Sequence, residues 1–188
     1  MVRERLHRPG RDHPLIVLGC DPGMSGSIAW CHSSGALIAV ADMPVVEVNG
    51  KRRISSAELG RLMQAREAHM IVIEGVGAIP RRKVKDGTET KEVMGAASSF
   101  AFGYSAGIIE GIAAAMALPL QIIPARTWKK RAGVPTDKGA ARMMAQRLWP
   151  ASAALFARVK DDGRAEAALL ARFVAIGNGS AAAVARAA

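Results

Sequence analysis

The sequence predicts an α/β domain built on a five-stranded mixed sheet, an antiparallel meander followed by parallel strands, with helices on its flanks. Three observations carry this. Short apolar runs near the N-terminus are separated by Gly- and Ser-bearing turns, the pattern of a meander. Further along, apolar runs alternate with helical segments, which implies strand–helix–strand units with parallel pairing. With 188 residues, half of them hydrophobic, the chain is long enough for one domain with a real core and too apolar for disorder.

Each element follows from local chemistry. Residues 1–13 are basic and lack the apolar core of a signal peptide, and Glu4 and Asp12 argue against a transit peptide, so they read as a flexible basic arm. The domain proper spans 14–178. "LIVLGC" is a buried strand stopped by Asp21-Pro22-Gly23, where Pro fixes φ and Gly frees it, so the chain turns sharply. Two more strands follow at about 26–31 and 36–43. "ISSAELGRLMQAREAH" is an amphipathic helix with Ser55 and Glu58 at capping-box spacing. "MIVIEG" is a fourth strand, and its apolar run also ends in a carboxylate, Glu74. Residues 75–90 are polar, carry Arg81, Arg82, Lys83 and Lys85, and read as a loop.

A long Gly- and Ala-rich helix is expected over about 91–117. Serines, glycines and Glu110 interrupt its apolar stretch, which excludes a membrane span. "LPLQIIP" is a fifth strand, stopped by Pro124. "ARTWKKRAGVPTDKGAARMMAQRLW" holds a connector and a helix from near Thr136, and a last helix covers about 161–176. An Ala-rich tail, 179–188, closes the chain. The order is βββαβαβα, without a repeat or linker.

Lys and Arg number 26 against 16 Asp and Glu, a formal charge of +10 that suits a polyanionic partner, nucleic acid before others. Cys20 and Cys31 match neither a disulfide framework nor a zinc spacing. They read as small apolar strand residues in a reducing, cytoplasmic compartment.

The carboxylates give the chemistry. If strands one and four are parallel neighbours at the sheet centre, Asp21 and Glu74 lie at one carboxyl edge, where open α/β sheets bind ligands. On the last helix, positions four apart differ by about 40° in direction, so Asp162 and Glu166 share a face that Asp161 does not. Glu166, Leu170 and Phe173 form the stripe that packs on the sheet. Asp21, Glu74, Asp162 and Glu166 are therefore expected to converge, with Asp161 left as a helix cap. Like charges at close range repel, and Mg²⁺ or Mn²⁺, which prefer oxygen ligands, would relieve them. Two such ions about 4 Å apart suit phosphodiester cleavage.

At these residues the sequence resembles the RuvC-like Holliday junction resolvases of the ribonuclease H-like superfamily. "CDPGMSG" with Asp21, "IVIEG" with Glu74 and "KDDGRAEAALLA" with Asp162 and Glu166 carry the resemblance, which covers roughly 14–176. "ARTWKK" and "TDKGAARMM" resemble the family's two basic elements. The resemblance implies that Lys129 and Lys138 approach the scissile phosphate. The last acidic pair, spaced by four and ending in Glu, looks like the phage and chloroplast branches; bacterial RuvC spaces it by three. No aromatic stands in 75–90, where some relatives carry a wedging side chain.

The resemblance implies a metal-dependent endonuclease, bacterial or phage-encoded, acting as a homodimer on four-way DNA junctions and nicking two opposed strands. Arg81, Arg82, Lys83, Lys85, Lys129, Lys130, Arg131 and Lys138 are the candidate DNA contacts. Trp128 and Trp149 read as core or interface residues. Gly95, Ser99, Gly103, Gly107 and Gly111 recur every four residues, a stripe suited to packing on the sheet or on a second subunit. Phe100, Tyr104 and Ile108 would then face the other neighbour. Alternatives are a nuclease on other branched DNA or RNA-containing substrates, or a non-catalytic DNA-binding module. Actin-like kinases share the acid-tipped strand and Gly-rich turn but need two such domains.

Overall fold

The structure, a computed structural model, describes residues 15–75, 81–85, 88–92 and 95–187. The expected N-terminal arm lies outside them. Strands β1 (Ile16–Asp21), β2 (Ser27–His32) and β3 (Leu37–Asp42) form the antiparallel meander. A hairpin not anticipated from the sequence follows, β4 (Val45–Val48) and β5 (Lys51–Ile54), turned by Asn49 and Gly50. Both turn residues have positive φ, 53° and 72°, as a two-residue Asn-Gly hairpin turn requires.

Helix α1 (Ser56–Gln64) starts where the Ser55 hydroxyl accepts the Glu58 N–H, and it leads to β6 (Met70–Gly75). In place of the expected loop, β7 (Arg81–Lys85) and β8 (Thr88–Glu92) pair antiparallel, and α2 (Ala96–Ala115) begins after them. After β9 (Leu120–Pro124), the expected connector is itself a helix, α3 (Ala125–Ala132), which Gly133 ends at φ 65°. Helix α4 (Lys138–Leu148) starts at Asp137, whose carboxylate accepts the Ala140 N–H at 2.7 Å. Two 3₁₀ turns, Pro150–Phe156 and Val159–Asp161, lead into α5 (Asp162–Ala187), which runs on through the residues expected to be a tail.

The main sheet has the order β3-β2-β1-β6-β9, with β1–β6 and β6–β9 parallel. The expected five-stranded mixed sheet is therefore present, with β1 at its centre. Alternate residues of its strands feed two cores. Val17, Ala29, Cys31 and Val72 pack on one face with Trp128 of α3, Ala141 of α4 and Leu170 of α5. Leu18, Cys20, Ile28, Ile71 and Ile73 pack on the other with Leu59 of α1 and Ile109 of α2. Both cysteines are buried and free, and Trp128 and Trp149 are core residues. Among the described residues, no helix is long and apolar enough to cross a membrane.

Candidate functional site

Strand parity aims the first two acids. Val17 faces the α5 core while Leu18 and Cys20 face the α1–α2 core, so Gly19 and Asp21 share the α5 side. Val72 faces α5 while Ile71 and Ile73 do not, so Glu74 follows Val72. Parallel pairing of Val17 with Met70 through Cys20 with Ile73 sets Asp21 beside Glu74 at the carboxyl edge.

Glycines let α5 close on that edge. A Cβ on Gly19 would lie 2.4 Å from the Ala167 carbonyl oxygen and 2.8 Å from the Ala171 Cβ. The helix backbone thus rests directly on the central strand. At its first turn, a Cβ on Gly163 would lie 2.7 Å from the Ser25 carbonyl oxygen and 3.1 Å from Asp21 Oδ2. The Asp21-Pro22-Gly23 turn is closed by the Gly26 N–H donating to the Gly23 carbonyl at 2.9 Å. A side chain at Gly26 would strike the Asp21 carbonyl oxygen at 2.1 Å.

Cations interleave the acids. Lys129 of α3, which also lies 5.6 Å from the Trp128 ring centroid, donates to Glu166 Oε1 at 2.6 Å and stands 3.6 Å from Glu74 Oε1. Arg142 pairs with Asp162 Oδ1, and Lys138 lies 3.7 Å from Asp162 Oδ2. The sequence reading missed Arg142. Its signal was present, since Arg142 stands one helical turn after Lys138 and presents the same face.

Burial pushes the Asp21 carboxyl up to about 6, helped by the charge of Glu166 and opposed by the Gly23 N–H, Lys138 and Lys129. Burial likewise pushes Glu74 to about 7, with Glu166 and Asp21 adding to it and Lys129 opposing. Burial would lower Lys129, but its hydrogen bond to Glu166 and the charge of Glu74 more than offset this and hold it above the usual lysine value. Asp21, Glu74 and Glu166 thus repel one another around one ammonium.

Asp161 is set apart, as the helical-face argument requires, although it does not cap α5. It is 1% exposed and accepts the Arg158 backbone N–H at 2.8 Å and the Arg158 guanidinium at 2.8 Å. Arg164 joins it at 3.8 Å and holds Asp42, at the end of β3, through two bonds of 2.5 and 2.6 Å.

Among the described residues, no group of three or more His, Cys, Asp or Glu side chains is arranged to hold a metal ion. The donor set nonetheless suits a hard divalent cation. All four acids offer oxygens, and Glu74 Oε2 is buried without a well-formed hydrogen bond, as is the Trp128 indole N–H, which lies near enough to favour the Glu74 carboxylate. Ligation by Glu166 and Asp162 requires them to exchange Lys129 and Arg142 for the ion. Lys130 and Arg131 are exposed beside the site on α3, and Lys138 is exposed at the start of α4. The side chains of Arg81, Arg82, Lys83 and Lys85 lie outside the description, which covers only their backbone in β7.

The glycine stripe of α2 does not pack on the sheet. Among the described residues, a Cβ on Gly95, Gly103, Gly107 or Gly111 would meet nothing within 4 Å. Phe100 is 76% exposed and stacks on Tyr104, with ring centroids 6.5 Å apart, so neither ring packs on the sheet. Of the three residues expected on the other side, Ile108 alone packs against the α1–α2 core.

A mixed sheet of order β3-β2-β1-β6-β9, with helices on both faces and acids at the ends of β1 and β6, defines a ribonuclease H-like fold. More particularly, the fold is RuvC-like. The chain is similar to Thermus thermophilus RuvC in complex with a Holliday junction substrate, at a TM-score of 0.55 and 12% identity, covering 87% of this chain and 94% of that one. It is also similar to a second Thermus thermophilus RuvC structure, at a TM-score of 0.53 and 12% identity, covering 89% of this chain and 98% of the other. Neither a protein-family model nor a curated protein matches the sequence.

Proposed function

We propose that the protein is a metal-dependent, structure-selective endodeoxyribonuclease that resolves four-way DNA junctions by paired nicks. The single observation that carries this reading is the gathering of Asp21, Glu74 and Glu166 from three separate elements at one sheet edge, Asp21 beside Glu74 in parallel register and Glu74 and Glu166 sharing the Lys129 ammonium. A purely structural role does not call for that arrangement. Asp21, Glu74, Asp162 and Glu166 would hold Mg²⁺ or Mn²⁺, two ions per site. Such ions activate water and stabilise the leaving oxygen in phosphodiester hydrolysis.

The chain's own residues then divide the work. Lys129 and Lys138 leave their acids to meet the phosphate nearest the cut. Lys130, Arg131, Arg81, Arg82, Lys83 and Lys85 bind the flanking backbone, whose affinity is mostly electrostatic. The exposed small-residue face of α2, with Phe100 and Tyr104 beside it, suits a two-fold contact with a second copy. Such a dimer would present two sites to opposed strands of one junction.

One observation favours a second reading. The cations already paired with Glu166 and Asp162 would also serve a DNA-binding module without catalysis. Incubation with a labelled four-way junction, a linear duplex and a DNA–RNA hybrid, with and without Mg²⁺, separates the readings. Mg²⁺-dependent symmetric nicks in the junction support resolution. Cleavage of the hybrid alone assigns an RNA-containing substrate, and binding without cleavage assigns the module.

A further inference from the structure

The β4–β5 hairpin lies outside every residue so far given a role. We propose that it is a second contact for the DNA phosphate backbone, made by Lys51 and Arg53 on its outward face, on the strand that enters the acidic edge. The inference rests on the nuclease reading and deepens it.

The hairpin is rooted in the site. In the meander, Asp21 pairs with Ser27 and Ser27 with Asp42, so the end of β3 lies two strand spacings, about 10 Å, from Asp21 along the same sheet edge. The next residue, Met43, donates its N–H to the Gly26 carbonyl at 3.0 Å, which fixes the root to the turn that carries Asp21. Asp42 is held by Arg164, one turn along α5 from Asp161 and between Asp162 and Glu166. Ser55 closes the root by donating to the Pro44 carbonyl at 2.9 Å. Met43 and Ile54 are buried in the α1–α2 core. The hairpin is therefore tied both to the strand and to the helix that supply acids.

Glu47 stands directly across from Arg52 in the hairpin register, whereas Lys51 and Arg53 face Val48 and Val46 and have no acid opposite them. Lys51, Arg52 and Arg53 are exposed, and among the described residues none of them forms an ion pair or a side-chain hydrogen bond. Val45 pairs with Ile54 and Val46 with Arg53, so Lys51 and Arg53 share the face opposite buried Ile54, with Arg52 on the other side. The Asn49-Gly50 turn holds the two strands in register, and a Cβ at Gly50 would meet nothing within 4 Å, so the tip stands in open space. Lys51 and Arg53 on one exposed face, in a chain of charge +10, fit a polyanion. Four strand residues reach about 13 Å, equal to roughly four nucleotide steps along one strand. With its root about 10 Å from Asp21 and its tip up to about 13 Å further on, the arm should meet phosphates about three to seven nucleotides from the cut.

The test is a variant with Lys51→Gln, Arg52→Gln and Arg53→Gln, bound to a fluorescent four-way junction in chelator over a range of salt. Its melting temperature should match wild type, because all three side chains are exposed. The slope of log affinity against log salt should fall by about 2, one phosphate each for Lys51 and Arg53. Neutral methylphosphonates placed about three to seven nucleotides from the cut should weaken wild-type binding and leave the variant unaffected. Lys51→Gln alone should lower the slope by about 1. A wild type that binds while the triple variant keeps its salt slope overturns this inference alone. A wild type that binds no DNA overturns the nuclease reading beneath it.

Discussion

The Lys129 ammonium sits 2.6 Å from Glu166 and 3.6 Å from Glu74, so one cation from α3 joins the acid of α5 to the acid of β6. All three side chains are largely buried, at 13, 15 and 11% exposure. Lys129 thus supplies the positive charge that the metal-free acids need.

Lys129→Met should cost the metal-free protein about 3 kcal/mol, since it leaves partly buried carboxylates facing one another. For a chain of this length, that is a fall of roughly 6–12 °C in melting temperature. Mg²⁺ should recover more stability in the variant than in wild type, by binding linkage. Equal melting temperatures in chelator would show that Lys129 does not neutralise the acids.

Asp21 and Glu74 are raised to about 6 and 7, so between about pH 4 and 7 the folded protein holds protons that the unfolded chain has lost. Stability of the metal-free protein therefore falls as pH rises through this window. The loss is of order 3 kcal/mol for the pair, which shares Glu166 as a neighbour and does not simply add. Asp42 and Asp161, held low by hydrogen bonds from Arg164 and Arg158, act oppositely and only below about pH 4. Melting in chelator at pH 5 and pH 8 should show the decline, with Glu74→Gln flatter and more stable than wild type at pH 8.

Asp21→Asn, Glu74→Gln, Asp162→Asn and Glu166→Gln should each lower Mg²⁺-dependent cleavage by more than about 100-fold, beyond what losing even an outer partner of a metal costs. Junction binding should persist. Asp161→Asn should instead melt several degrees lower, because it loosens the Arg158 clamp, and should cleave normally when folded. A cleaving Glu166→Gln would remove that residue from the site.

Gly19→Ala should destabilise by about 1–3 kcal/mol, since the added methyl meets the α5 backbone. It should also reduce cleavage by moving Glu166 away from Asp21. Denaturant melts and cleavage rates check both. An unchanged midpoint would mean that α5 shifts freely.

Gly103→Ala should stabilise an isolated subunit by up to about 1 kcal/mol, because its Cβ meets nothing within 4 Å among the described residues and Ala favours helix. Gly103→Leu should remain folded and become monomeric by light scattering, with paired nicking lost. Wild type running as a monomer at micromolar concentration overturns the dimer.

The sequence by itself determined the sheet and the candidate acids. Apolar runs ending at Asp21 and Glu74, and the four-residue spacing of Asp162 and Glu166, are local patterns set by strand and helix periods. The β4–β5 hairpin has a local signal in Asn49-Gly50, a hairpin turn pair, while Lys51, Arg52 and Arg53 break the apolar alternation of an ordinary strand. Only the tertiary structure decided how closely the acids approach and what stands between them. That depends on Gly19 and Gly163 admitting α5 to the sheet, and on α3 delivering Lys129 between two carboxylates. Such contacts join residues far apart in the chain, through packing distances that no local period encodes. The outward turn of the glycine stripe was likewise a tertiary outcome. A stripe of glycines four apart suits a sheet and a second helix equally, and the decision fell to Ser105, Ile109 and Ala113, which bury the opposite face of α2.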